Sequence, residues 1–122
     1  IKAHTMIDMV RKQIMPAVIR HSTTVAQSVA AVKSVGADAS VQEECLIEVS
    51  KNLVSMNQAL SKLEKATEYA ASIIEPKEQA IVYRDQVFTA MEELRKPADA
   101  LEMIVDKDVW PFPTYADLLF NG

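Results

Sequence analysis

Apolar residues recur at steps of three and four along most of this chain, the spacing that puts side chains on one face of an α-helix. Over residues 1–35 the stripe is Ile7, Val10, Ile14, Val18, Val25, Val29 and Val32, which predicts an amphipathic helix with a long seam. Pro16 falls inside it. A proline in a helix interior removes a backbone donor and clashes with the preceding turn at a cost of roughly 3 kcal/mol, so a kink, or a break into two shorter helices, is expected there. Gly36 follows the last periodic residues and can take the left-handed conformation that closes a helix near Val35.

Ser40, Val41, Gln42 and Glu43 read as a capping box that opens a second helix near Val41. From there Leu46, Val49, Leu53, Met56, Leu60, Leu63, Thr67, Ala70 and Ile74 alternate steps of three and four without a slip, the strongest periodic signal in the chain. A helix of that extent is roughly 50 Å long, so its neighbours must be long as well. Glu75 and Pro76 punctuate the pattern, with proline preorganised for the first turn of a third helix. That helix carries Ala80, Val87, Met91, Leu94, Ala98, Leu101 and Val105 on one stripe, and Ile81 and Phe88 widen it toward a second neighbour. Pro97 predicts another kink.

Helices at about 1–35, 41–74 and 76–106, joined by short connections, predict an all-α, antiparallel up-down-up three-helix bundle with coiled-coil-like packing and an extended aromatic C-terminal tail over 107–122. The chain is read as a single helical domain. At 122 residues, 49% hydrophobic and 25% charged, it lies in the range of one globular domain, able to build a core without disulfides.

Charge adds to the bundle and removes several functions. Lys2, Arg11, Lys12, Arg20 and Lys33 against Asp8 make the first helix basic, while the whole chain carries −4. The basic helix is therefore expected to flank two acidic ones along the bundle seam. The net acidity argues against nucleic acid or an anionic membrane as partner, and no apolar run approaches the roughly 18 residues that span a bilayer. With only Gly36 and Gly122, neither a phosphate-cradling loop nor a Gly-flanked nucleophile turn can be built. The single cysteine, Cys45, and the lack of a signal pattern read as a cytoplasmic protein in which Cys45 is a small buried hydrophobe.

Catalytic and metal chemistry finds little to work with. The Glu-x-x-His step of carboxylate-bridged bundles is absent at His4 and His21, where the residues three positions upstream are Ile1 and Val18. His4 and Asp8 lie one turn apart and read as a surface ion pair rather than two ligands lacking a third. His21 continues the apolar stripe and reads as a core or boundary histidine. Glu43 with Glu44, and Glu92 with Glu93, point about 100° apart on a helix and read as solvated flanks rather than acid–base dyads. Met6, Met9, Met15, Met56, Met91 and Met103 read as core filler, and Arg84 as paired with an acidic neighbour. No catalytic, cofactor or metal residue is assigned.

The tail breaks the helical pattern. Trp110, Pro111, Phe112, Pro113, Thr114, Tyr115, Ala116, Asp117, Leu118, Leu119 and Phe120 gather the sole Trp and two of three Phe around two prolines that enforce extended geometry. So apolar a cluster packs back on the bundle or docks on another surface. The run from Asp106 to Phe120 resembles the carboxyl terminus of type III glutamine synthetases. The stretches Thr5–Met9 and Ile14–Val18 with Arg20, and Ala90, Met91, Glu93, Leu94 and Arg95, look like the C-terminal helical region of the same family.

The resemblance implies that the chain, which starts at Ile1 without an initiator Met, is the terminal domain of a cytoplasmic ATP-dependent ligase joining ammonia to glutamate. That enzyme uses magnesium or manganese and assembles as a dodecamer of two rings. The catalytic domain, with every nucleotide, glutamate and metal ligand, lies upstream. What transfers is an interaction tail, Trp110, Pro111, Phe112, Pro113, Tyr115, Leu118, Leu119 and Phe120, docking the bundle on the catalytic body or a neighbouring subunit. The competing expectation is a stand-alone helical module whose tail binds a partner groove; a small bundle enzyme or metal protein ranks below both.

Overall fold

The computed structural model describes residues 2–105 and 110–111. Among them every regular element is helical, and three rods pack side by side. The first comprises α1 (Ala3–Met9), a π-helical turn (Val10–Ile14) and α2 (Met15–Ser34); the second is α3 (Ser40–Ser72); the third joins α4 (Pro76–Val82), a second π-helical turn (Tyr83–Val87) and α5 (Phe88–Ile104). The second rod is central: α3 contacts α1, α2, α4 and α5, and α1 also reaches α5. The predicted all-α, antiparallel three-helix bundle is therefore what forms.

Neither proline ends its helix. At Pro16 the strain is taken up immediately upstream, where the Met15 N–H donates to the Val10 carbonyl five residues back. A wider turn there relieves the clash of the proline ring with the carbonyl four residues earlier. The turn serves packing too. Met6, Val10, Ile14 and Val18 are all buried, yet steps of four drift by about 40° each around an α-helix, and a turn of more than four residues cancels part of that drift. Pro97 lies inside α5 on its buried side, and the helix runs on to Ile104.

The connections show how the rods turn. Gly36 has φ +75°, its N–H donates to the Lys33 carbonyl at 3.0 Å, and the Ala37 N–H reaches the Val32 carbonyl at 3.2 Å; this paired closure is the Schellman ending that glycine permits. The expected hydroxyl cap at Ser40 is not formed. Ala39 is the cap residue, Ser40 is already helical, and the Asp38 carboxylate accepts from the Ser40 N–H at 2.9 Å. Glu43, freed from the capping box, pairs with Lys33 instead. At the other end Glu75 caps the third rod by accepting from the Glu78 N–H at 2.7 Å. The Gln79 amide donates to the carbonyls of Ala70 and Ile73 and so ties the start of the third rod to the end of α3.

Met56, Leu60, Leu63, Leu94, Leu101, Val10, Val18, Val49 and Val87 are the largest fully buried side chains. Thr67 is buried with them, its hydroxyl donating to the Leu63 carbonyl. Four seam assignments need correction. Ile74 is 95% exposed because α3 stops at Ser72 and leaves it in the connection. Ala80, Ile81 and Phe88 are exposed, whereas Gln79, Val82 and Tyr83 are half-buried. The π turn over Tyr83–Val87 resets the phase of the stripe, so that the inward row steps from Val82 to Val87.

Candidate functional site

Trp110 and Pro111 are the residues of the predicted interaction tail that lie within the described structure. Trp110 is 9% exposed and belongs to the same apolar cluster as Leu94, Leu101 and Val105, so the first anchor of the motif packs on its own bundle. Pro111 is exposed. Phe112, Pro113, Tyr115, Leu118, Leu119 and Phe120 lie outside the described residues, as does the end of the third helix expected to reach 106.

The charged residues resolve into paired flanks. Arg11 bonds Glu64 and Lys33 bonds Glu43, both between the first and second rods, while Lys62 reaches Glu93 on the third rod at 3.0 Å. The basic first helix thus meets an acidic second one. The adjacent carboxylates of Glu92 and Glu93 diverge: Glu92 pairs with Arg95 while Glu93 pairs with Lys62. Asp8 pairs with Lys12 at 3.9 Å rather than with His4. Arg84 is exposed and holds the adjacent Asp85 through two hydrogen bonds of 2.8 and 3.3 Å. Those bonds set Asp85 below the usual carboxylate range and raise Arg84 above its own.

His21 is half-buried at the rod boundary, and Cys45 is half-buried against the core rather than fully enclosed. Met6, Met56 and Met91 fill the core, whereas Met103 is 88% exposed. A surface groove of about 380 Å³ runs between α3 and the third rod over Ala66 and Ala90, with Lys62, Lys65, Asp85 and Glu93 on its rim. A groove of about 230 Å³ brings His4 near Glu64, Glu68 and Thr67.

Among the described residues no three His, Cys, Asp or Glu side chains are grouped to hold a metal ion. The one described glycine, Gly36, closes a helix and forms no phosphate cradle. Among the described residues no helix is long and apolar enough to cross a membrane.

The feature that the pattern of apolar positions did not disclose is an open helical hairpin. The Lys62–Glu93 and Gln79–Ala70 contacts fix the antiparallel register of the second and third rods, bringing Ile104 level with about residue 50 of α3 at equal helical rise. Among the described residues, α2 and α3 have only each other beyond that level. From Ile19 to Glu48 the sole buried residue is Ala39. Val25, Val29, Val32 and Leu46, on the predicted seams, are half-buried, and Ile19, Val35, Val41 and Ile47 are 49%, 79%, 75% and 65% exposed.

Comparison with known proteins places the whole chain against one part of much longer ones. It is 30% identical over 123 residues to the glutamine synthetase of Butyrivibrio fibrisolvens, covering 99% of this chain and 18% of that protein. It is 30% identical over 137 residues to the type-3 glutamine synthetase of Dictyostelium discoideum, covering 98% and 17%. The glutamine synthetase of Bacteroides fragilis is 23% identical over 127 residues, covering 99% and 17%. The chain thus spans less than a fifth of the length of these relatives, of which it is a distant homologue. No family model matches it, and no solved structure does.

Proposed function

We propose, from the distant homology of the whole chain to one segment of glutamine synthetases, that it serves such an enzyme as a non-catalytic helical domain at the C-terminal end. Its role in this reading is structural or regulatory. One observation carries it: the similarity runs over 99% of this chain yet takes in only 18% of the Butyrivibrio protein, and that same stretch closes into a bundle with its own core. The parent's reaction, ATP-dependent ligation of ammonia to glutamate, then belongs to residues other than these. So do its ATP and its magnesium or manganese.

The bundle's part is to present a rigid surface. Trp110 is seated in the apolar cluster of the bundle, and in sequence it is followed by the aromatic and leucine residues from Phe112 to Phe120. In our reading they bind the catalytic body or a neighbouring subunit of the oligomer. Binding through a short segment that leaves a fixed anchor loses less conformational entropy than binding through a free one.

The test is made on a complete glutamine synthetase carrying this segment. Residues matching Trp110 to Phe120 are deleted, and assembly state, thermal stability and biosynthetic activity are compared with the parent. The expected result is loss of the intact oligomer or of its stability, with any residual activity proportional to the oligomer that survives. Unchanged assembly, stability and activity would overturn the reading in favour of a free-standing helical module.

A further inference from the structure

Among the described residues nothing covers the broad face of the α2–α3 hairpin opposite the third rod. The ion pairs between the rods orient it. Arg11–Glu64 and Lys33–Glu43 bridge the first two rods along one flank of their seam, whereas Lys62 leaves α3 on the other flank to meet the third rod. At 100° per residue Ile19, Ala26 and Val29 fall on the side of Lys33, and Ile47, Ser50 and Val54 on the side of Glu43. Three large apolar side chains on this face are exposed: Ile19 at 49%, Ile47 at 65% and Val54 at 57%. Small side chains lie between them, so the face is shallow and open to close approach.

We infer that this face binds a second copy of the chain, α2 of each copy lying over α3 of the other about a two-fold axis parallel to the rods. Charge selects the occupant and the axis. Along the face the first rod carries Arg11 and Lys33, and the second carries Glu64 and Glu43 at the same levels. An axis parallel to the rods sets Lys33 over Glu43 of the partner subunit and Arg11 over Glu64 of the partner subunit, so that both ends attract. An axis across the rods would instead oppose Lys33 to the partner's Arg11 and Glu43 to the partner's Glu64, with repulsion at both ends.

In the favoured arrangement Ile47 sits against the partner's Val29, and Ile19 against the partner's Val54. The area suffices. Between the two ion pairs the face is about 33 Å long and, for two packed helices, about 20 Å wide, or about 1,300 Å² over both copies. A specific interface needs about 1,200 Å² or more. This inference does not depend on the parentage proposed above.

Sedimentation velocity over a concentration series of the 122-residue chain tests it. The expected species has twice the 13.5 kDa chain mass. Ile47→Glu places a carboxylate against the partner's Val29 and should weaken the dimer at least about a hundredfold, with far-UV helicity unchanged because Ile47 is exposed in the single chain. Val54→Glu repeats the test should Ile47→Glu lose helicity. Ile74→Glu, off this face, should leave the dimer intact. Lys33→Glu reports the axis: it weakens a dimer in which Lys33 faces the partner's Glu43 and strengthens one in which it faces the partner's Arg11. A monomer at every concentration, a dimer indifferent to folded Ile47→Glu and Val54→Glu, or a stronger dimer in Lys33→Glu overturns the inference.

Discussion

Replacing Trp110 by alanine removes the largest side chain that joins the end of the third rod to the core. The indole is 9% exposed, and truncation to a methyl group takes about 200 Å² of apolar contact away. At about 25 cal/mol per Å² this is about 5 kcal/mol. Two corrections lower it. The unfolded chain already buries part of that area, and the site lies where the third rod ends, so its surroundings can collapse into the space. The expected loss is therefore about 3 kcal/mol, the lower end for truncation of a large aromatic.

For a chain of this length 3 kcal/mol corresponds to a fall in Tm of about 12 °C. Urea and thermal unfolding followed by far-UV circular dichroism measure both quantities. As the sole tryptophan in the chain, Trp110 also reports its own environment, and native emission should lie well to the blue of that in urea. Trp110→Phe should recover most of the stability. A loss under about 1 kcal/mol for Trp110→Ala, or native emission like that of the unfolded chain, would refute burial of the anchor in its own bundle.

Gly36→Ala should cost about 1 kcal/mol through backbone strain alone, since φ is +75° and nothing lies within 4 Å of the added methyl group; chemical denaturation measures it. Leu63→Ala, at a fully buried position on the central rod, should cost about 3 kcal/mol, whereas Ile74→Lys, at a 95% exposed one, should stay within about 0.5 kcal/mol. Asp38, whose carboxyl is held low chiefly by the Ser40 N–H and further by the Ser40 hydroxyl, has a folded pKa below its unfolded one. Its contribution is therefore present above the unfolded value and lost as pH falls through the folded one. In Asp38→Asn the acid limb of the stability–pH curve should be shallower than in the parent.

The three rods were legible in the sequence because local signals and tertiary packing agree there. Leu60, Leu63, Met56 and Val49 repeat on a single face, and all are enclosed. Gly36 closes a helix for the reason glycine usually does, since it alone takes a positive φ without strain. Disagreement arose where a local rule had two solutions. Ser40 with Glu43 is a sound capping box, but Asp38 offers a charged acceptor two residues earlier, and Lys33 on the neighbouring rod offers Glu43 an ion pair. The π turns were not legible. They answer to the drift of Met6, Val10, Ile14 and Val18 around the rod, and only the position of the neighbouring rods decides whether that drift is tolerated.

The candidate tail was legible as a break in pattern, because Trp110 and the prolines after it cannot continue an amphipathic helix. Its destination was not. A cluster of large apolar side chains satisfies the same hydrophobic demand on its own bundle or on a neighbour, and for Trp110 the structure gives the first answer.

The open hairpin poses the same ambiguity in the other direction. Val25, Val29, Val32 and Leu46 keep helical spacing as faithfully as the residues under the third rod, yet they are only half-buried because that rod stops at Ile104. Periodicity records which face of a helix must be shielded from water and is silent on what shields it. Two helices alone can enclose only the narrow strip between them. Ile19, Ile47 and Val54 lie outside that strip and stay exposed on the face turned away from the third rod, the face that our inference leaves incomplete without a partner. Their placement between two ion pairs of self-complementary charge turns that incompleteness into a specific expectation, a partner that presents the same face.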